Sequence, residues 1–434
     1  MGKGYRVSLY LGVIALVVLL ACWAFGYYIF LSPLAVVSTV CIALGLGGSS
    51  FKTFVYTAWI VVAIVCGMLY PKAFLQWGEV DLQNPWLILI IVQIVMFGMG
   101  TQMSIKDFKG IRTLGKGVIV GVFCQFTIMP LLGYTLSVFF SFSPEVAAGV
   151  VLIGSCSSGL ASNVMSYLAK ANLTLSITLT AVATMLAPIM TPFWMKVLAG
   201  TYVEVEFIPM CIQIIKIVIV PIGAALLFDA MNSGTDGFRK RMHFIALVTV
   251  CWFIGIIGFW GWLSNGLTET SIELLILANF LIGAILFGYL FYHLNKRLPK
   301  LLKVMPFMSM VGIIYFTVVT TAASRDHLIH IGIFLLVSAI LHNTVGYTLG
   351  YWIGRVLRLD KDSCRTIALE VGMQNGGMAS GLAGVMGKLS TLGLAAAVFS
   401  PWMNISGSIL ANYWRKHPIK EKQSSKGWKV QDGS

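Results

Sequence analysis

Residues 366 to 387 read TIALEVGMQNGGMASGLAGVMG, and the reading of this stretch decides the fold. It has the length and apolar character of a membrane span. Yet Glu370, Gln374 and Asn375 stand in its middle, with Gly372, Gly376 and Gly377 loosening the helix around them. A charged residue at the centre of a membrane helix costs about 2.5 to 3.5 kcal/mol on translocon scales, so an intramembrane acid is a functional residue by default. The alternative is a structural glutamate paired across a helix interface.

The composition fits a polytopic membrane protein. Of 434 residues, 58% are hydrophobic and 11% charged, with a mean hydropathy of +0.87, whereas soluble domains carry about 25% charged residues. The net charge of +14 would suggest nucleic acid in a soluble chain. Here the basic residues gather in short loops, which speaks for membrane orientation and against a nucleic-acid partner. Seven of the eight cysteines lie inside apolar stretches and no CxxC pair occurs, so neither a zinc site nor a disulfide framework is indicated.

Working outward, the first apolar run, 8 to 31, is too long for a signal-peptide core and reads as a retained helix; a second follows at 34 to 50. Twelve further runs come at about 53–70, 86–104, 117–141, 147–169, 174–198, 207–229, 242–263, 272–294, 304–323, 329–354, 366–387 and 390–413. Each is near the roughly 20 residues that cross the hydrocarbon core, so fourteen spans are expected. With the N-terminus cytoplasmic, 25 of the 30 basic residues fall inside. Only Lys72, Arg325 and Lys388 fall outside, and Lys196 and Lys216 lie in spans. Adding or deleting one span would scramble this alternation, so a multi-pass protein of the cell membrane with both ends cytoplasmic is expected.

A second interrupted helix is present. Within 147 to 169 the sequence GSCSSGLASNVMSYLA packs Gly154, Ser155, Cys156, Ser157, Ser158 and Gly159 ahead of Ser162 and Asn163. Gly-Leu-Ala-Ser at 159 to 162 echoes Gly-Met-Ala-Ser at 377 to 380. Gly-Tyr-Thr-Leu occurs at both 133 to 136 and 346 to 349, so both pairs keep their order about one repeat length apart. Seven crossings separate the copies, and an odd number inverts the second, as in transporters whose sites lie where discontinuous helices meet near the midplane. Sodium is a hard cation that binds oxygens. Fitting ligands gather here: Ser162 and Asn163 past the first interruption, Ser176 and Thr180 on one face of the next helix, Glu370, Gln374 and Asn375 at the second interruption, and Gln125 on a neighbouring span. Back-bonding to their own helix is the structural alternative for Ser176 and Thr180. Hydrogen bonding to a neighbouring helix is the reading preferred for His342.

These residues carry a close resemblance to the bile acid:sodium symporter family. Glu370-Val371-Gly372-Met373-Gln374-Asn375 matches the signature of that family's second crossed helix. Ala161-Ser162-Asn163-Val164, followed by Tyr167-Leu168-Ala169-Lys170, matches the first. The resemblance covers roughly 50–229 and 304–413. It implies an all-α membrane protein of two inverted five-helix repeats with crossed discontinuous helices, split into core and panel domains with substrate bound between them. It also implies two sodium ions. The first would be held by Ser162, Asn163, Ser176, Thr180 and Glu370. The second would be held by Gln125, Glu370, Gln374 and the backbone carbonyls of Val371 and Met373. Asn375 would contact substrate.

Two departures stand out. The family's Pro-Gly-Gly element at the first break is replaced by Ser157-Ser158-Gly159, which leaves the break to glycine and to hydroxyl competition for backbone groups, and makes Ser158 a candidate substrate contact. Four helices are additional. The expected division is therefore 1–50 (two added helices), 51–229, 230–303 (an added helix pair), 304–413 and a basic tail 414–434. Lys216, in the middle of a panel span, is either a cavity-facing attraction for an anion or an interior lysine on backbone carbonyls. One carboxylate shared by two sodium ions leaves one positive charge unmatched, which an organic monoanion would neutralise. The function expected is sodium-coupled symport of an organic anion. The alternative is a related exporter of arsenite or another small solute, with Cys156 as a thiolate ligand. No GxSxG or HExxH motif supports an intramembrane enzyme. Bile acids, pantoate-like acids, keto acids and sulfated steroids all suit the expected site.

Overall fold

Why the chain breaks where it does follows from its caps and its prolines. The computed structural model describes residues 2–48 and 54–419, so Lys52 and the tail from 420 lie outside the described residues. Helices α1 (Lys3–Ala24), α2 (Leu31–Leu46) and α3 (Val55–Leu69) are followed by a short α4 (Pro71–Leu75). A two-stranded turn, β1 (Gln76–Trp77) and β2 (Val80–Asp81), then leads to α5 (Pro85–Gly100) and α6 (Gly110–Phe139). The first broken helix is α7 (Pro144–Ser155) with α8 (Leu160–Leu168). Next come α9 (Leu173–Trp194), extended by a π turn to Ala199, and α10 (Phe207–Ile214), joined through a π turn at Ile215–Ile219 to α11 (Val220–Ser233). The chain continues with α12 (Asp236–Gly266), α13 (Glu269–Arg297), α14 (Lys300–Ala323) and α15 (Arg325–Val356). The second broken helix, α16 (Lys361–Gly372) with α17 (Gly376–Val385), precedes α18 (Leu392–Lys416).

Ten helical stretches are long and apolar enough to cross a membrane. Two shorter apolar helices, α3 and α5, and the two broken ones make fourteen helical units among the described residues. Several ends lie outside the expected limits because side-chain caps extend them. The Asp360 carboxylate accepts the Ser363 amide at 2.9 Å and starts α16 five residues early. Thr235 caps α12 at Phe238 in the same way. The last helix runs on to Lys416, where buried Arg365 donates to the His417 carbonyl at 2.8 Å and stacks over Trp414.

Two groups of helices form. In the panel, α14 packs on α3 and α5, and α11 packs on α5. In the core, α6, α7 to α9 and α15 to α18 surround the two breaks. The groups meet where Gly377, Gly381 and Gly384 of α17, spaced to share one helix face, lie on Ile88, Val92 and Val95 of α5. A Cβ at Gly381 would sit 2.3 Å from Val92, so only glycine permits this approach. The pair α12 and α13, expected to be an addition, attaches to the panel mainly through α13 on α11.

Candidate functional site

At depth, every backbone polar group needs a partner, and irregular backbone survives only inside protein. The two breaks meet this demand by pairing with each other. Cys156 and Gly159 are extended (φ −74°, ψ 162° and φ −100°, ψ 161°), and Ser158 forms an antiparallel bridge with Gln374. The Gly159 amide donates to the Met373 carbonyl at 3.2 Å, and the Asn375 amide to the Ser157 carbonyl at 2.8 Å. Side chains from neighbouring helices satisfy the rest. Thr191 donates to the Ser155 carbonyl at 2.7 Å, Gln125 Nε2 to the Cys156 carbonyl at 2.8 Å, and Asn343 Nδ2 to the Gly372 carbonyl. Ser406 in turn donates to Asn343 Oδ1. The break therefore stands without proline because the second break pairs with it; hydroxyl competition, the expected cause, is secondary. Gly159 contributes space: a Cβ there would press on the Gln374 carbonyl at 3.2 Å.

Glu370 lies at the centre, with no exposed surface. Four hydroxyls donate to its carboxylate. Ser162 (2.7 Å) and Ser176 (2.5 Å) reach Oε1, and Ser158 (2.6 Å) and Thr180 (2.8 Å) reach Oε2. Asn163 Oδ1 lies 2.7 Å from the Ser176 hydroxyl and 3.2 Å from that of Thr180. Ser176 and Thr180 thus turn away from their own helix, unlike Thr184, which back-bonds to the Thr180 carbonyl at 2.7 Å. Among the described residues the salt bridges are Arg239–Asp236 and Arg325–Asp326, both with exposed carboxylates. The Glu370 charge therefore has hydroxyl partners and no basic one.

Gln125, also wholly buried, joins the second half of the site. Its Nε2 donates to Gln374 Oε1 at 2.6 Å, and Gln374 Nε2 donates to the Val371 carbonyl at 2.7 Å. Because Nε2 serves two acceptors, the amide orientation is fixed, and Oε1 is left buried without a partner. The carbonyls of Val371 and Met373 each accept one hydrogen bond and keep a second lone pair. An unpartnered carbonyl, two half-used ones and a carboxylate ringed by hydroxyls form a donor set suited to a hard monovalent cation.

The remaining expectations fare differently. Asn375 Oδ1 caps α17 by accepting the Met378 amide at 3.0 Å, while its Nδ2 is buried and unpartnered. Ser158, expected to face substrate, instead has its hydroxyl on Glu370, because the antiparallel bridge directs it inward. Among the described residues the Lys216 ammonium has no hydrogen bond to a backbone carbonyl; it lies 5.8 Å from the Phe280 ring of α13, so the α12–α13 hairpin takes up this side chain. Its own carbonyl accepts from Gln93 at 3.2 Å. His342 Nε2 donates to the Met129 carbonyl of α6 at 3.1 Å, the neighbouring-helix bond expected of it. Cys156 is wholly buried, and its carbonyl serves Gln125. The sequence reading missed Ser406, the second member of the clamp on Gly372; one serine among many in an apolar helix carries no distinguishing pattern.

A family model described as Sodium Bile acid symporter family matches residues 89–261, which include the first broken helix. An uncharacterised sodium-dependent transporter of Bacillus subtilis is 31% identical over 382 residues, covering 87% of this chain and 96% of its own length. The human ileal sodium/bile acid cotransporter is 28% identical over 289 residues, covering 67% of this chain and 66% of its own. A probable chloroplastic sodium/metabolite cotransporter of Arabidopsis thaliana is 26% identical, over 84% of this chain and 74% of its own. Among solved structures, a sodium/proton antiporter of Methanocaldococcus jannaschii shares the fold with a TM-score of 0.51 at 12% identity, over 90% of this chain and 100% of that one.

Proposed function

Because the chain belongs to the sodium/bile acid symporter family, we propose that it is a sodium-coupled symporter of an organic monoanion, taking up two sodium ions with each substrate. The observation that carries this reading is Glu370, a fully buried carboxylate held by four hydroxyls and no basic side chain. In the first sodium site, Ser162, Asn163, Ser176, Thr180 and Glu370 exchange hydroxyl-to-carboxylate bonds for ion ligation. Ser158, already on the same carboxylate, joins them. In the second, Gln125 Oε1 supplies the free acceptor, alongside Glu370, Gln374 and the carbonyls of Val371 and Met373.

Both ions share one negative charge, so filling both leaves one excess positive charge in a site of low dielectric. A substrate anion at Asn375 Nδ2, the buried donor without a partner, neutralises that excess and makes occupancy by ions and substrate cooperative. The core group of helices then moves against the panel along the glycine face of α17, exposing the crossing to one side and then the other. In this reading the segments 1–50 and 230–303 are accessories to the transport unit 51–229 and 304–413. Small carboxylates and larger amphipathic anions such as bile acids are the candidate substrates. The organic-anion reading is preferred to solute export without sodium because Glu370 has no basic partner.

The test is electrical. Reconstituted protein is challenged with a panel of bile acids, pantoate, keto acids and sulfated steroids. A substrate should evoke inward current in sodium and none in potassium, each cycle carrying one net charge worth about 2.3 kcal/mol per 100 mV. Sodium-dependent uptake without current would overturn the two-to-one stoichiometry. Uptake indifferent to sodium would overturn the reading itself.

A further inference from the structure

The added hairpin leaves a cleft that transport does not explain. Its helices are barely held by protein: only 11% of the apolar window in each of α12 and α13 is buried. At one point contact is tight, where Gly288 of α13 meets the Ala224 carbonyl of α11 so closely that a Cβ would lie 2.5 Å from it. Elsewhere α13 touches α5 through Phe287 and Phe291 on Phe97, and around that contact a cleft of about 1190 Å³ opens between α13, α5 and α14. It follows α13 from Ile276 to Arg297, which at 1.5 Å per residue is about 30 Å, the thickness of the hydrocarbon core.

The cleft is apolar but for Gln93 and Asn279 along its length, and basic at one end. Near that end it is walled by Phe287, Leu290, Phe291, Leu294, Leu301 and Met305. Arg297 and His293 close it. Arg297 is exposed and makes no ion pair or side-chain hydrogen bond among the described residues. The His293 Nε2 atom is buried without a hydrogen-bond partner, although its ring packs against His243, Tyr289 and Tyr292. The hairpin is antiparallel, so Lys240 and Arg241 at the start of α12 reach the same boundary as Lys296, Lys300 and Lys303. Of the acids near this boundary, Asp236 is paired with Arg239 and Asp229 accepts the Ser104 hydroxyl.

We infer that this cleft binds one anionic phospholipid, its acyl chains against α5, α13 and α14 and its phosphate on Arg297 and His293. Basic pockets between membrane helices at the headgroup level suit anionic lipid headgroups. The size of the cleft suits acyl chains, and its charge selects the headgroup. The lipid fastens the hairpin to the panel along the side where protein contact is confined to the aromatic cluster of Phe97, Phe287 and Phe291. The site is separate from Glu370 and does not depend on the transport assignment.

The full chain, purified in detergent, is heated with dioleoylphosphatidylglycerol or with dioleoylphosphatidylcholine, and its bound lipid is counted by native mass spectrometry. Phosphatidylglycerol should raise the melting temperature by roughly 3 °C or more above phosphatidylcholine, through preferential binding to the folded state, and one molecule should stay bound. In Arg297→Ala/His293→Ala the extra shift and the retained lipid should both be lost, while the sodium-dependent shift persists, showing that the variant is folded. Arg297→Lys should keep part of the lipid shift. Equal stabilisation by both lipids, or full retention by the double variant, would overturn the inference. So would a shift of the same size from inorganic phosphate alone, which would make the site one for a free anion. A dimer whose contact is broken by Ala284→Trp would assign the cleft to a second copy instead.

Discussion

The two breaks have the same shape and opposite chemistry. The second, Met373 to Asn375, carries the charge and the cap: Glu370 sits one turn before it, and Asn375 closes the start of α17. The first, Cys156 to Gly159, has no charge and no side-chain cap, yet it brings Ser158 and Ser162 to the carboxylate and Asn163 to the Ser176 hydroxyl beside it. One half therefore holds the anion and the other supplies two of the four hydroxyls that answer it, Ser176 and Thr180 of α9 supplying the rest. Neither half is a site alone. Their backbones bond directly, so a change in occupancy at the carboxylate acts on both repeats at once.

This asymmetry can be broken from either side. The largest effect short of removing the carboxylate is expected at the glycine face of α17, along which the core is proposed to move. Gly381→Val forces a side chain into Val92 and should cut transport by at least ~10-fold, overpacking being costly in a close-packed interface. The sodium-dependent thermal shift should survive it; loss of both would mean the crossing itself had collapsed. Next comes Asn375→Ala on the second break, which removes a cap worth ~1 kcal/mol and the unpartnered donor. Substrate KM should rise by roughly 10-fold, with sodium binding in the absence of substrate little altered. An unchanged KM would remove Asn375 from the substrate site.

On the first break, Ser158→Ala deletes one of four hydroxyls on the carboxylate. The half-saturating sodium concentration should rise by about 3- to 10-fold, the net worth of one ordinary hydrogen bond, and substrate KM at saturating sodium should hold. An effect on KM alone would return Ser158 to the substrate side. Lys216→Ala is expected to matter least. With its ammonium beside Phe280, the variant should transport within about 2-fold of the parent, as a surface substitution does, and a loss beyond 10-fold would bring the lysine back to the substrate path.

Much of this was legible in the residues. Hydropathy and the spacing of basic residues marked fourteen units, and side chains more than two hundred positions apart, Ser162 and Glu370 among them, proved to be neighbours. What escaped has local physical causes. The direction of Ser158 depends on an antiparallel pairing between two short extended segments, and periodicity carries no information about such a pair. Lys216 sits in a π turn, where 3.6-residue spacing no longer predicts a face. Pro221, four residues after Ile217, was the available sign, since its ring cannot accept a regular helical turn before it. The early start of α16 was also readable, in Asp360 followed three residues later by Ser363.

The central claim is that Glu370 binds the driving ion through its charge, and the thermal stability of the purified protein in sodium against potassium at constant ionic strength tests it most directly. The parent should be stabilised as sodium rises, by about 2.7 kcal/mol at a hundredfold excess over Kd. Glu370→Gln, which keeps the shape and removes the charge, should melt at the same temperature in both salts. A glutamine variant with the parent's full sodium shift would contradict the account.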